Sequence, residues 1–193
     1  MNLRKVGNIR KQKVSFASNI IVSIILVFVS LFIYFLQACV FSNITIAGVM
    51  PNLFVIFILV IGLFGNNTLS LIFSIICGIW IDSIYVEAIG ITSAMLCLIG
   101  FMATWFDSLW SKDEKISIVI MVIIATFIFE FGCYFLRSII FDFEMELWPF
   151  FKILAIEELY NILLTIIFFG VIKKVGYSME RKLKRNNMYT VEL

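Results

Sequence analysis

The sequence contains no histidine, and this absence excludes several familiar kinds of catalytic and metal site. Nucleophiles activated by a histidine base, zinc sites of the HExxH type and haem sites with a histidine ligand all require an imidazole. The chain also lacks the glycine patterns of Walker and Rossmann nucleotide sites. A membrane enzyme that uses carboxylates alone is the catalytic class left open. We therefore predict a protein that is not an enzyme and that holds no metal or cofactor.

Charged residues are scarce as well, at 15% of a 193-residue chain in which 62% of the residues are hydrophobic. A soluble domain of this composition would expose large apolar surfaces to water. The apolar runs are long and continuous rather than alternating, which indicates transmembrane helices rather than the strands of a β-barrel. The sequence therefore predicts an all-α integral membrane protein.

Six apolar segments are candidates for transmembrane helices. They are residues 16–41, 46–64, 68–86, 89–106, 116–140 and 153–172. Pro51 and Asn52 interrupt the second segment, and only residues 65–68 separate it from the third, so four or five full crossings also remain open. We predict a bundle of about six transmembrane helices.

Lysine and arginine are concentrated at the two ends of the chain, in residues 4–13 and 173–185. Because basic residues in short connections mark the cytoplasmic side, we predict that both ends are cytoplasmic, which requires an even number of crossings. The expected organisation is a basic cytoplasmic N-terminus at residues 1–15, a six-helix membrane domain at residues 16–172 and a basic cytoplasmic tail at residues 173–193. This tail would attract anionic membrane lipids, and the chain holds no nucleic-acid motif.

Small residues recur along one face of the third and fourth segments. The two stripes are Ser70, Ser74, Gly78 and Asp82, and Gly90, Ser93, Ala94, Cys97, Gly100 and Thr104. Such stripes let helix backbones approach closely, so we predict tight packing between these two helices. We expect the Asp82 carboxylate to end the third helix at the outer surface. There it would accept hydrogen bonds from amides at the start of the fourth helix.

Four charged residues lie in or near the fifth and sixth segments: Glu130, Arg137, Glu157 and Glu158. A charge at membrane depth costs a few kcal/mol unless it is paired. Arg137 could reach Glu157 or Glu158, because the loop between the segments is short. Glu130 and Asn161 either lock helices together or converge with Asp82 on a pocket. We favour locking, since polar residues between membrane helices commonly bond one another.

Short motifs in a particular order carry a resemblance to a known family. Pro51-Asn52 opens an apolar helix, a polar loop follows at residues 65–68, Gly78-x-x-x-Asp82 precedes Gly90-Ile91, and Tyr160-Asn161 lies in the last helix. Over residues 20–172 this order resembles the rod shape-determining protein MreD family.

The resemblance implies a non-enzymatic subunit of the rod complex, or elongasome, in the bacterial cytoplasmic membrane. Such a subunit binds the single-pass scaffold MreC and acts through it with MreB, RodA and a penicillin-binding transpeptidase in cell-shape control and lateral peptidoglycan synthesis. The implied fold is similar to the substrate-binding subunits of energy-coupling-factor transporters, so a vitamin-type binding subunit is the alternative. The partner-binding or helix-packing residues implied are Pro51, Asn52, Gly78, Asp82, Gly90, Tyr160 and Asn161.

Overall fold

The computed structural model describes the backbone of residues 20–85, 90–109 and 111–191, and their side chains except at 84, 85, 107–109 and 184–191. The described residues form six helices and no strand, which confirms the prediction of an all-α protein with six helices. The helices are α1 (Ile20–Phe41, whose last residues Leu36–Phe41 form a π-helical turn), α2 (Leu53–Phe64), α3 (Asn67–Tyr85), α4 (Ile91–Leu109), α5 (Lys115–Phe141) and α6 (Leu147–Val191).

Three of these helices are long and apolar enough to cross a membrane: α1, α5 and α6. Helices α2, α3 and α4 are apolar but shorter. The 12 residues of α2 rise about 18 Å at ~1.5 Å per residue, well short of a ~30 Å hydrocarbon layer. Helix α2 therefore cannot cross the membrane on its own.

Helix α2 begins seven residues later than the start of the second apolar segment, because the chain before it makes a tight turn. Ile46 and Val49 exchange backbone hydrogen bonds of 3.1 and 3.0 Å, and Ala47 and Gly48 between them have positive φ angles of 52° and 79°. Asn52 then caps the helix, since its side chain accepts a hydrogen bond from the Val55 N–H at 3.4 Å.

The core of the molecule is built around α2, which contacts α3, α4, α5 and α6. Ten of its twelve residues are buried, among them Phe54, Ile58 and Phe64. A helix that is apolar on all sides is typical of a position enclosed by other helices. The shortest apolar helix is thus the most enclosed one.

Helices α3 and α4 pack as closely as the small-residue stripes predict. A Cβ atom added to Gly78 would lie 2.3 Å from the Ser93 Cα atom, and one added to Gly100 would lie 2.5 Å from the Ser70 Oγ atom. The Ser74 hydroxyl donates a hydrogen bond of 3.0 Å to the Leu96 carbonyl oxygen across the contact. Residues larger than glycine or serine would force the two backbones apart.

Helix α6 continues well beyond residue 172, where the apolar segment ends. Gly176, Met179 and Leu183 are buried and follow Ile172 at intervals of three and four residues, so they extend one face of the helix. A Cβ atom at Gly176 would lie 2.5 Å from the Phe64 ring. Residues 173–183 are therefore part of the packed bundle, although the sequence suggests only a basic tail.

Candidate functional site

A cluster of polar side chains lies where α2 begins, between α5 and α6. The Asn161 side chain is 0% exposed; its Oδ1 atom accepts a hydrogen bond from the Asn52 N–H at 3.0 Å, and its Nδ2 atom donates to the Thr126 Oγ1 atom at 3.1 Å. The Asn52 Nδ2 atom in turn donates to the Glu130 Oε1 atom at 3.1 Å. One network of hydrogen bonds thus joins α2, α5 and α6.

Helical spacing brings the members of this cluster together. Thr126 and Glu130 are four residues apart on α5, and Glu157 and Asn161 are four apart on α6, so each pair shares one face of its helix. Asn52 belongs to both the cluster and the α2 cap, because its side chain also accepts from the Val55 N–H. The arrangement matches the predicted locking of helices for Glu130 and Asn161.

A cavity of about 520 Å³ opens beside this cluster, between the second half of α5 and the first turns of α6. Glu130, Arg137 and Glu157 all line it, and Glu157 is only 7% exposed. The ion pair expected between Arg137 and Glu157 or Glu158 is not formed among these described residues. The Glu157 carboxyl group interacts with that of Glu130 instead, and one buried Glu158 oxygen has no hydrogen-bond partner in the described part of the chain.

The connection between α3 and α4 is held by Asp82, whose side chain is 4% exposed. Its Oδ2 atom accepts a hydrogen bond of 2.7 Å from the N–H of Gly90, the residue that precedes α4. This is the contact that the sequence predicts, although Asp82 lies one turn before the end of α3 at Tyr85 rather than at the end itself. Gly90 has a φ of 107°, which glycine adopts without strain. Glu87, a further carboxylate between Asp82 and Gly90 in sequence, lies outside the described residues.

Tyr160 and Asn161 are adjacent in sequence but act at different places. The Tyr160 hydroxyl donates a hydrogen bond of 2.8 Å to the Ile44 carbonyl oxygen, in the connection between α1 and α2. Asn161 points into the polar cluster. Pro51, which precedes Asn52, is buried at the start of α2. The motif residues on α6 therefore fix both the connection before α2 and the first turn of α2.

A second group of polar contacts, at the opposite end of the bundle, was not predicted from the sequence. The Lys112 Nζ atom donates to the Leu63 carbonyl oxygen at 3.0 Å and forms a salt bridge of 3.3 Å with Glu180. A cation beside the last carbonyl groups of α2 is favourable, because these groups carry partial negative charge. The contact joins the α4–α5 loop to the extension of α6.

Asp113, in the same loop, is also bound by α6. The Tyr177 hydroxyl donates to its Oδ1 atom at 2.6 Å, and Lys173 forms a salt bridge with it at 3.3 Å. The hydrogen bond from Tyr177 and the neighbouring Lys173 lower the pKa of Asp113 below its ordinary value. The spacing of Lys173, Tyr177 and Glu180 at four and three residues was the signal that could have identified this face of α6.

Comparison with known families gives a match over most of the chain. The family model described as rod shape-determining protein MreD matches residues 17–175, which include every motif residue named above. No curated protein and no solved structure matches the chain.

Proposed function

The chain belongs to the MreD family of rod shape-determining proteins, and from this we infer that it is a non-enzymatic membrane subunit of the bacterial rod complex. In this proposal it binds the single-pass scaffold MreC. Through MreC it supports lateral peptidoglycan synthesis together with MreB, RodA and a penicillin-binding transpeptidase. The family match over residues 17–175 is the observation that carries the proposal.

The proposed orientation in the cytoplasmic membrane places both termini and the α4–α5 loop on the cytoplasmic side. The support is the concentration of lysine and arginine in residues 4–13 and 173–185, together with Lys112 and Lys115 in or beside that loop. The cavity between α5 and α6 then opens toward the outer face, near the acidic segment 142–146.

We propose that the buried motif residues shape the partner surface from inside the bundle. Asp82 and Asn161 are 4% and 0% exposed, so a partner cannot contact them directly. Each is engaged by a hydrogen bond that fixes a connection between helices. Changes at these positions should therefore weaken partner binding by altering helix geometry.

The experiment that tests this function is affinity purification of the tagged full-length protein from gently solubilised native membranes. Mass spectrometry then identifies both the protein partners and the bound small molecules. Asp82→Asn keeps an oxygen acceptor for the Gly90 N–H but removes its charge, so we expect roughly fivefold less recovered scaffold at equal expression, equivalent to about 1 kcal/mol. The matched control is Asp142→Asn, since Asp142 is exposed and asparagine also tolerates its left-handed backbone.

The outcomes separate the two candidate functions. Recovery of a single-pass scaffold with wall-synthesis enzymes supports the rod-complex proposal. Recovery of paired ATPase subunits with a vitamin-like ligand would replace it with the transporter alternative. If the scaffold is recovered equally with wild type and Asp82→Asn, the proposed role of Asp82 is wrong while the partner assignment stands.

A further inference from the structure

The cavity between α5 and α6 has the dimensions and lining of a small-molecule site. Its volume of about 520 Å³ lies within the ~300–1,000 Å³ range of ligand pockets. Four carboxyl groups line it, those of Glu130, Glu144, Glu146 and Glu157, against one guanidinium group, that of Arg137. Carboxyl groups therefore outnumber the cationic side chain in this lining by four to one, which favours a positively charged occupant.

Two of these carboxyl groups lie deep in the cavity without a donor that neutralises them both. Glu157 is only 7% exposed, and it forms no salt bridge with a described residue. Its polar neighbour is the carboxyl group of Glu130, which receives one hydrogen bond from the Asn52 side chain. Two carboxyl groups in contact away from bulk water need a shared proton or a cation between them.

The remaining walls fit an organic cation better than a metal ion. Tyr134 and Phe150 stack with ring centroids 4.7 Å apart, and Phe143 lies 5.7 Å from Tyr134; all three rings line the cavity. Aromatic faces attract ammonium groups and also cover the apolar part of a ligand. A small metal ion would leave most of this apolar wall unused.

Arg137 supplies a place for a negative group on the same ligand. It lies seven residues from Glu130 on α5, about two turns nearer the outer end of the helix, and it forms no salt bridge with a described residue. A guanidinium group binds carboxylate or phosphate through paired hydrogen bonds.

We propose that this cavity binds a zwitterion, with its primary ammonium group between Glu130 and Glu157 and its carboxylate or phosphate group at Arg137. Free amino acids carry this pair of groups, and so does the headgroup of phosphatidylethanolamine. The proposal goes beyond the rod-complex function and does not depend on the partner.

The first test measures binding of three matched probes to the purified full-length protein by isothermal titration calorimetry: γ-aminobutyrate, butylamine and butyrate. We expect wild type to bind γ-aminobutyrate most tightly. Glu157→Gln should weaken γ-aminobutyrate and butylamine by roughly tenfold or more and leave butyrate unchanged. Arg137→Gln should weaken γ-aminobutyrate and butyrate and leave butylamine unchanged. A change that merely disturbed the fold would not separate the probes in this way.

The second test examines the lipid source. The protein is placed in nanodiscs of phosphatidylglycerol with and without phosphatidylethanolamine, and bound lipid is identified by native mass spectrometry. Retention of phosphatidylethanolamine that Glu157→Gln abolishes supports a headgroup as the natural occupant. Binding of γ-aminobutyrate without such retention supports a soluble zwitterion instead. The control variant is Lys152→Gln, since Lys152 is exposed on α6 and does not line the cavity.

Two results would overturn the proposal. One is that wild type binds the three probes equally, or binds none of them, and shows no preference for phosphatidylethanolamine. The two carboxyl groups would then simply share a proton. The other is binding that Glu157→Gln leaves unchanged. If either variant fails to fold, the ranking of the three probes and the two lipids on wild type still decides the matter.

Discussion

Replacement of Asn161 by leucine tests whether the polar cluster locks α2, α5 and α6 together. Leucine has the same side-chain branching as asparagine but no polar atoms, so Asn161→Leu removes hydrogen bonds with little change of shape. The Asn52 N–H loses its acceptor at 3.0 Å, and Thr126 loses its donor at 3.1 Å. Because Asn161 is 0% exposed, water cannot replace these partners without disturbing the packing.

The expected cost follows from these two losses. A buried N–H without a partner costs about 1–3 kcal/mol. A side-chain hydrogen bond between membrane helices contributes about 0.6 kcal/mol on average. Asn161→Leu should therefore lower the free energy of unfolding by about 2–4 kcal/mol. Thr126→Val removes only the second contact but leaves the buried Asn161 Nδ2 group without its acceptor, so it should cost about 1–3 kcal/mol.

The assay is reversible unfolding in mixed micelles, followed by helical circular dichroism as the fraction of denaturing detergent rises. The double variant Asn161→Leu/Thr126→Val should cost less than the sum of the single variants, because their shared contact is lost only once. Asn67→Leu is the control, since Asn67 is exposed at the start of α3 and its replacement should change stability by about 0.5 kcal/mol or less. A loss for Asn161→Leu no larger than that for Asn67→Leu would refute the locking role.

Two further predictions concern close packing and pH. A Cβ at Gly78 would lie 2.3 Å from the Ser93 Cα atom, so Gly78→Ala should destabilise by about 1–3 kcal/mol; Gly170→Ala, with nothing within 4 Å, should be neutral or stabilising. Equal thermal unfolding midpoints for Gly78→Ala and Gly170→Ala would contradict this prediction. The Tyr177 hydrogen bond lowers the pKa of Asp113 below its ordinary value of 3.8. The contact therefore stabilises the fold fully above about pH 3.8, and this stabilisation is lost as the pH falls through the lowered pKa. As the pH falls, the free energy of unfolding should decrease less steeply for Asp113→Asn than for wild type. Identical pH profiles for the two proteins would count against the contact.

The sequence was a good guide to features that depend on neighbouring residues. Asn52 after Pro51 predicted a helix start, and the structure shows Asn52 as the cap of α2. The spacing of Ser70, Ser74 and Gly78 predicted the close approach of α3 to α4. Both predictions succeed because helix capping and the face on which a residue lies follow from positions a few residues apart.

Features that depend on the relative rotation of distant helices were harder to predict. Arg137 was expected to pair with Glu157 or Glu158, but Glu157 faces Glu130 and the pairing is absent. A rotation of about 100° separates adjacent residues on a helix, so a short loop alone does not determine which of two neighbouring glutamates meets a given arginine.

The length of α6 shows the same limit. Its apolar segment ends near residue 172, and the basic residues that follow are typical of a solvated tail. In the structure Gly176 and Met179 are nevertheless buried, because Phe64 at the end of α2 provides an apolar surface for them. Phe64 lies more than a hundred residues before Gly176 in sequence, and no local pattern reveals this contact.

Membrane solvation, helical structure and the approximate boundaries of α3, α4 and α5 follow from the composition and periodicity of this chain, because partition into lipid and helix formation depend on short stretches of sequence. Tertiary packing brings Asn52, Glu130 and Asn161 together across 78 and 109 residues, encloses the short α2, and leaves a cavity between α5 and α6. These contacts depend on how whole helices rotate and cross, which is settled only when all six pack at once.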